Sequence, residues 1–128
     1  MQTLTTNGVH ISVESFYQPA HSEPQRQRYL HVYNVRIENR NDFEVKLISR
    51  RWIITESNGT SKLVEGEGVI GKQPDIIPGK FHAYSSYCIL STEIGKMSGT
   101  YAMVRTDTGE ELEVTIPPFV LVIPAKLN

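Results

Sequence analysis

Alternation with a period of two runs through this chain and limits it more than any other feature. Val9, Ile11 and Val13 alternate with His10, Ser12 and Glu14, and Tyr33, Val35 and Ile37 alternate with Asn34, Arg36 and Glu38. Phe43, Val45 and Leu47 repeat the pattern, as do Leu112, Val114 and Ile116 near the end. Successive side chains of a strand point to opposite faces, so each run places one face on a core and the other in water. The turn chemistry between runs agrees: Asn39-Arg40-Asn41-Asp42, Ser57-Asn58-Gly59-Thr60 and Thr106-Asp107-Thr108-Gly109. The spacing predicts an all-β fold, a small sandwich or barrel, as one domain over residues 1–128.

Further strands are expected around Trp52-Ile53-Ile54, from Phe81 to Leu90, and at Tyr101–Val104, the last as an interior strand. Ser49-Arg50-Arg51 breaks the alternation between Leu47 and Trp52, which predicts a bulge or a strand changing sheets. Val9–Phe16 also fits helical spacing in places. Ser91–Ser98 is a short helix candidate weakened by Gly95. Gln18–Arg28, with Pro19 and Pro24, reads as a mobile surface connection.

Charge narrows the function classes. Thirteen Lys+Arg face fourteen Asp+Glu, for a net charge of −1, without the basic surplus of a nucleic-acid or membrane-surface binder. Cys88 is the only cysteine, so an internal disulfide is impossible, and the N-terminal residues lack signal-peptide character. A cytoplasmic location is expected. The scattered His10, His21, His31 and His82 show no metal-ligand spacing, and no nucleophile–base set is apparent. No metal, cofactor or catalytic residue is therefore expected, and Cys88 reads as a buried thiol.

Two elements are candidates for binding. Gly66-Glu67-Gly68-Val69-Ile70-Gly71 is formally G-x-G-x-x-G, and with Lys72 it could receive a phosphate-bearing ligand. Pro74 and Pro78 argue against a helix after Gly71, which favours bulges and positive-φ corners as the role of these glycines. For a partner protein the candidates are Arg50 and Arg51 beside Trp52, and Gln73-Pro74 in the Gly68–Gly79 loop. A core tryptophan with arginines reaching outward is the default for the first.

The string Ser49-Arg50-Arg51-Trp52-Ile53-Ile54-Thr55, followed by Asn58-Gly59 and Gly66-x-Gly68-Val69-x-Gly71-x-Gln73-Pro74-x-x-x-Pro78-Gly79, resembles the signature of the ApaG family. So do Leu90-Ser91-Thr92, Gly95-x-Met97-x-Gly99-x-Tyr101-x-Met103 and Ile116-Pro117-x-Phe119-x-Leu121, which extend the likeness from about Val9 to Pro124. The resemblance implies an immunoglobulin-like, fibronectin-type-III-like antiparallel β-sandwich of about seven or eight strands and, by likeness to domains in larger eukaryotic proteins, a non-enzymatic protein-interaction module. Binding of a small ligand or nucleotide phosphate through Gly66–Gly71 is the alternative. Pairing of two copies through a sheet edge or a sheet face is compatible with either. Arg51 stands where the family commonly has histidine before the tryptophan, and Ser86-Tyr87 replaces a frequent Ser-Gly at an expected turn.

Overall fold

The computed structural model describes residues 1–126; Leu127 and Asn128, the end of the expected domain, lie outside them. Nine strands form two antiparallel sheets among these residues: β1 (Gln2–Thr6), β2 (Val9–Tyr17), β3 (Tyr29–Asn39), β4 (Val45–Glu56), β5 (Ser61–Glu67), β6 (Asp75–Ile76), β7 (Phe81–Leu90), β8 (Ile94–Arg105) and β9 (Glu111–Val122). One sheet runs β1-β2-β3-β7, the other β5-β4-β8-β9, with the two-residue β6 also on β4. The architecture is the expected all-β sandwich, and no helix begins at Lys72.

One core lies between the layers. Val9, Ile11, Val13, Val35 and Ile37 cover it from the first sheet, and Leu47, Trp52, Tyr101, Met103, Val114 and Ile116 from the second, all buried. The alternating residues are thus the inward ones, and Val9–Phe16 is strand throughout. Two bulges reset the alternation. In β4 the register slips between Leu47 and Ser49 against β8, so inward residues change from odd to even numbers. In β9 it slips opposite Met97–Gly99, where Pro117 and Pro118 stand between inward Ile116 and inward Phe119.

Several local expectations change. β4 begins at Val45, so Phe43 precedes the strand and lies under the Arg105 guanidinium at 3.8 Å. Tyr101 and Met103 face inward on interior β8, whereas Ala102 is exposed. Within Ser91–Ser98 the first three residues form a bend and Ile94–Ser98 already belong to β8, and Ser86-Tyr87 lies mid-strand in β7, where no turn occurs. The Gln18–Arg28 segment contains two 3-10 turns, Pro19–His21 and Pro24–Arg26. It is tied by Ser22 Oγ to Gln18 O at 2.7 Å and by Glu23 N to Arg28 O at 2.8 Å. β1 escaped the sequence reading: Asn7 and Gly8, with φ of 50° and 74°, make a two-residue hairpin turn into β2.

Candidate functional site

The sandwich is fastened along one side and open along the other. Asn7 Nδ2 donates to Glu113 O at 2.7 Å and Ser15 Oγ to Val120 O at 3.3 Å, which ties β1 and β2 to β9. On the opposite side the edge strands β7 and β5 stand apart. Two adjoining clefts, about 300 and 380 Å³, lie between them and share Tyr33, Arg50, Trp52 and Ser86.

Arg50 is in this gap because of the bulge in β4. The parity change turns Arg50, Trp52 and Ile54 inward and leaves Arg51 outside, 3.9 Å from Glu65 on the neighbouring strand. The two adjacent arginines therefore serve opposite faces and form no common surface with the tryptophan. Trp52 is only 3% exposed and packs edge-on against Tyr33, Tyr101 and Phe119, with ring centroids 5.6, 6.4 and 5.9 Å away. The default reading of a core tryptophan holds.

The glycine motif divides into distinct physical roles. Gly66 pairs with Arg50 across β4 and β5, and a Cβ there would lie 2.7–2.9 Å from the guanidinium. Its missing side chain makes the seat for that group. Gly68, at φ +62°, turns the chain out of β5, and its N–H donates to Ile48 O at 2.8 Å. Val69 and Lys72 exchange two backbone bonds of 2.8 and 3.0 Å, closing a hairpin around Ile70 and Gly71, both at positive φ. Three of the loop's amides, those of Gly68, Val69 and Lys72, are thus committed to carbonyls. The Glu67 and Gly68 carbonyls face Arg50, whose Nη1 donates to them at 3.1 and 3.0 Å. Lys72 is exposed. Gln73 Nε2 donates to Ile48 O at 2.9 Å, and Leu47 N to Pro74 O at 3.0 Å, so the loop is clasped onto the bulge.

Hydroxyls collect around the guanidinium. Tyr84 and Tyr101 share a hydroxyl–hydroxyl hydrogen bond, and Tyr33 and Ser86 line the same clefts. Burial raises the pKa of all three phenols, an effect that Arg50 opposes only weakly, so they are neutral near pH 7. Burial likewise pushes the Cys88 thiol up to about 11, as expected for an inert sulfur. The cluster was not visible in the sequence, because Tyr33, Tyr84, Ser86 and Tyr101 come from three strands; their shared inward parity was the only clue. At the far end of the larger cleft Glu56 Oε1 accepts from Ser91 N at 2.6 Å, Ser91 Oγ at 3.0 Å, Thr92 N at 3.0 Å and Thr92 Oγ1 at 3.1 Å. Those four bonds give the Leu90-Ser91-Thr92 string its structural meaning.

The outer face of β7 presents a second feature. Register places Tyr87 beside Val32, Val32 beside Phe16, and Ile89 beside Leu30. These five apolar residues form a continuous surface, with Tyr87 64%, Phe16 45% and Ile89 38% exposed. β7 itself has ten residues without Pro, Lys, Arg, Asp or Glu, and among the described residues it pairs only with β3.

Comparison with known proteins agrees with this architecture. The family model described as the ApaG domain matches residues 19–105. The chain is 46% identical over 128 residues to Protein ApaG of Anaeromyxobacter sp. (strain K), covering 100% of both, and 42% identical over 120 residues to that of Ectopseudomonas mendocina, covering 94% of both. The crystal structure of the putative ApaA protein from Bordetella pertussis superposes with a TM-score of 0.87 at 41% identity, over 91% of this chain and 94% of that one. The chain belongs to the ApaG family.

Proposed function

We propose that this chain is a non-enzymatic protein-interaction module, and that it receives a strand of its partner on the open edge of β7. The observation that carries this reading is the contrast among the four sheet edges. Long flat edges invite pairing with other chains, and natural sheets blunt them with charge, proline, bulges or short length. β5 carries Lys62, Glu65 and Glu67; β9 carries Glu111, Glu113, Pro117, Pro118 and a bulge; β1 has five residues and lies against β9. β7 has none of these devices and continues into the Phe16–Val32–Tyr87 surface. Strand addition supplies main-chain hydrogen bonds, and the apolar row supplies selectivity.

The glycine loop is the weaker candidate as a phosphate cradle, since the amides of Gly68, Val69 and Lys72 already have acceptors. A photo-crosslinking residue at position 87, in a bacterium with a member of this family, should give one discrete heavier adduct. The same residue at Glu110, in the distant β8–β9 turn, should give none. Tyr87→Asp combined with Ile89→Lys should abolish recovery of the partner. Undiminished recovery with that pair, or crosslinking at position 110 alone, rejects the β7 edge.

A further inference from the structure

A guanidinium drawn between two sheets is normally matched by a carboxylate. Among the described residues no ion pair includes Arg50, and no hydrogen bond leaves its Nε or Nη2. Its Nη1 is fixed by the Glu67 and Gly68 carbonyls, and Gly66 gives the group a flat seat. The fork is held in place while the cationic edge beyond Nη1 has no counter-charge. A planar carboxylate matches such a fork with two parallel hydrogen bonds.

The surroundings select the rest of a ligand. Beside Arg50 stand the hydroxyls of Tyr84 and Ser86, the phenol being neutral and so able to donate. From there the larger cleft is walled by apolar Trp52, Ile54, Val64 and Met97. At its end Glu56 lies with Lys62, which leaves no surplus positive charge for a second anionic group. Clefts of about 300 and 380 Å³ are in the range that holds small molecules. We propose that this gap binds a small amphipathic carboxylate, with its acid group on Arg50 and its apolar body along Trp52. The glycine motif serves the site by seating the arginine. The larger cleft is also lined by Tyr87 and Ile89, so this site adjoins the β7 edge, but its anchor is Arg50 and it does not depend on strand addition there.

Trp52 is the only tryptophan and lines both clefts, so its fluorescence reports occupancy. Phenylacetate should produce a saturable change with a dissociation constant of about a millimolar, reasonable for so few atoms. Phenylacetamide, which has the same shape without the charge, should bind at least about tenfold more weakly, as should inorganic phosphate, which lacks the apolar body. Arg50→Gln should weaken phenylacetate by a similar factor. Gly66→Ala should do the same by displacing the guanidinium, and it suits the case in which Arg50→Gln fails to fold: the three atoms nearest the new Cβ all belong to that flexible side chain. No saturable change at about tenfold the expected constant overturns the proposal. So does equal binding of the amide or phosphate by the wild-type chain, or undiminished binding by either folded variant.

Discussion

Replacing each glycine of the Gly66–Gly71 motif by alanine should give sharply unequal losses of stability. At Gly68 the new Cβ would lie 2.1 Å from Lys72 O and 2.8 Å from Lys72 C, and both are backbone atoms that a rotamer change cannot move. The φ of +62° adds about 1 kcal/mol for any L side chain. Relieving the clash separates Gly68 from Ile48 O and opens the Val69–Lys72 pair, each hydrogen bond contributing about 1 kcal/mol net. The expected loss is about 4 kcal/mol, or about 13 °C in Tm for a domain of this size. At Gly71, φ is +72° but nothing lies within 4 Å, so the loss should stay near about 1 kcal/mol. At Gly66 the backbone is outside the left-handed region and only a flexible guanidinium must shift, so the change should also be within about 1 kcal/mol. Urea unfolding followed by Trp52 fluorescence measures all three, since that ring is buried in the native state. If Gly68→Ala costs no more than Gly71→Ala, the loop is not clamped onto the β4 bulge as described. The same reasoning makes Gly68 a poor probe of ligand binding, because its loss disturbs the fold.

His31 is 1% exposed, its Nε2 has no partner, and burial lowers its pKa. Its neutral form is favoured in the folded chain, so its contribution is intact above the ordinary value of 6.5 and is lost as pH falls from there toward the lower folded value. Tm of wild type against His31→Leu from pH 8 to 5 should show a shallower decline for the variant; His82 is shifted the same way, by burial first, and leaves a residual slope. Asn39 is fully buried, with Nδ2 donating to Phe43 O at 2.8 Å and Ile76 O at 2.9 Å and Oδ1 accepting from Asn41 N at 3.0 Å. Asn39→Ala strands those three groups and should lower unfolding free energy by about 3 kcal/mol in the same urea assay. Native Cys88, although it lines the larger cleft, should react with a disulfide reagent at pH 8 about a hundredfold more slowly than a free thiol, because burial pushes its thiol up to about 11; labelling at the free-thiol rate contradicts that.

The sequence carried the sandwich because the physics of alternation is local. Val9, Ile11 and Val13 announce their inward face without reference to any distant residue, and Ser49-Arg50-Arg51 announces the parity break in β4. What the break accomplishes is not local. That it aims Arg50 into the gap and Arg51 at Glu65 depends on which residue is the extra one, and the register against β8 decides that. The glycine motif was legible as turn chemistry, whereas its pairing with Arg50 rests on the alignment of β4 with β5. Asn7-Gly8 is the clearest missed signal. It is a strong hairpin dipeptide, but β1, with Gln2-Thr3-Leu4-Thr5-Thr6, has too little apolar alternation to call attention to it.

The placement of the two candidate surfaces follows from a single asymmetry. A sandwich has four edges, and here the β1 and β2 side is stitched to β9 by Asn7 and Ser15, so its layers meet there. The twist that lets one side close leaves the other side splayed. Filling that gap with apolar side chains would have made a sealed core. The chain instead places Arg50 there through a bulge, holds it with two carbonyls, removes a Cβ opposite it and surrounds it with phenols. Each device lowers stability relative to a plain apolar plug, by way of a displaced register, a strand glycine and a half-buried charge. Replacing Arg50 and Gly66 together by Met and Ala should therefore leave the domain as stable as wild type or more so, by up to about 2 kcal/mol in urea unfolding. A loss of more than about 2 kcal/mol in that double variant identifies Arg50 as a structural pin for the loop and removes the argument that the open side is kept for a ligand.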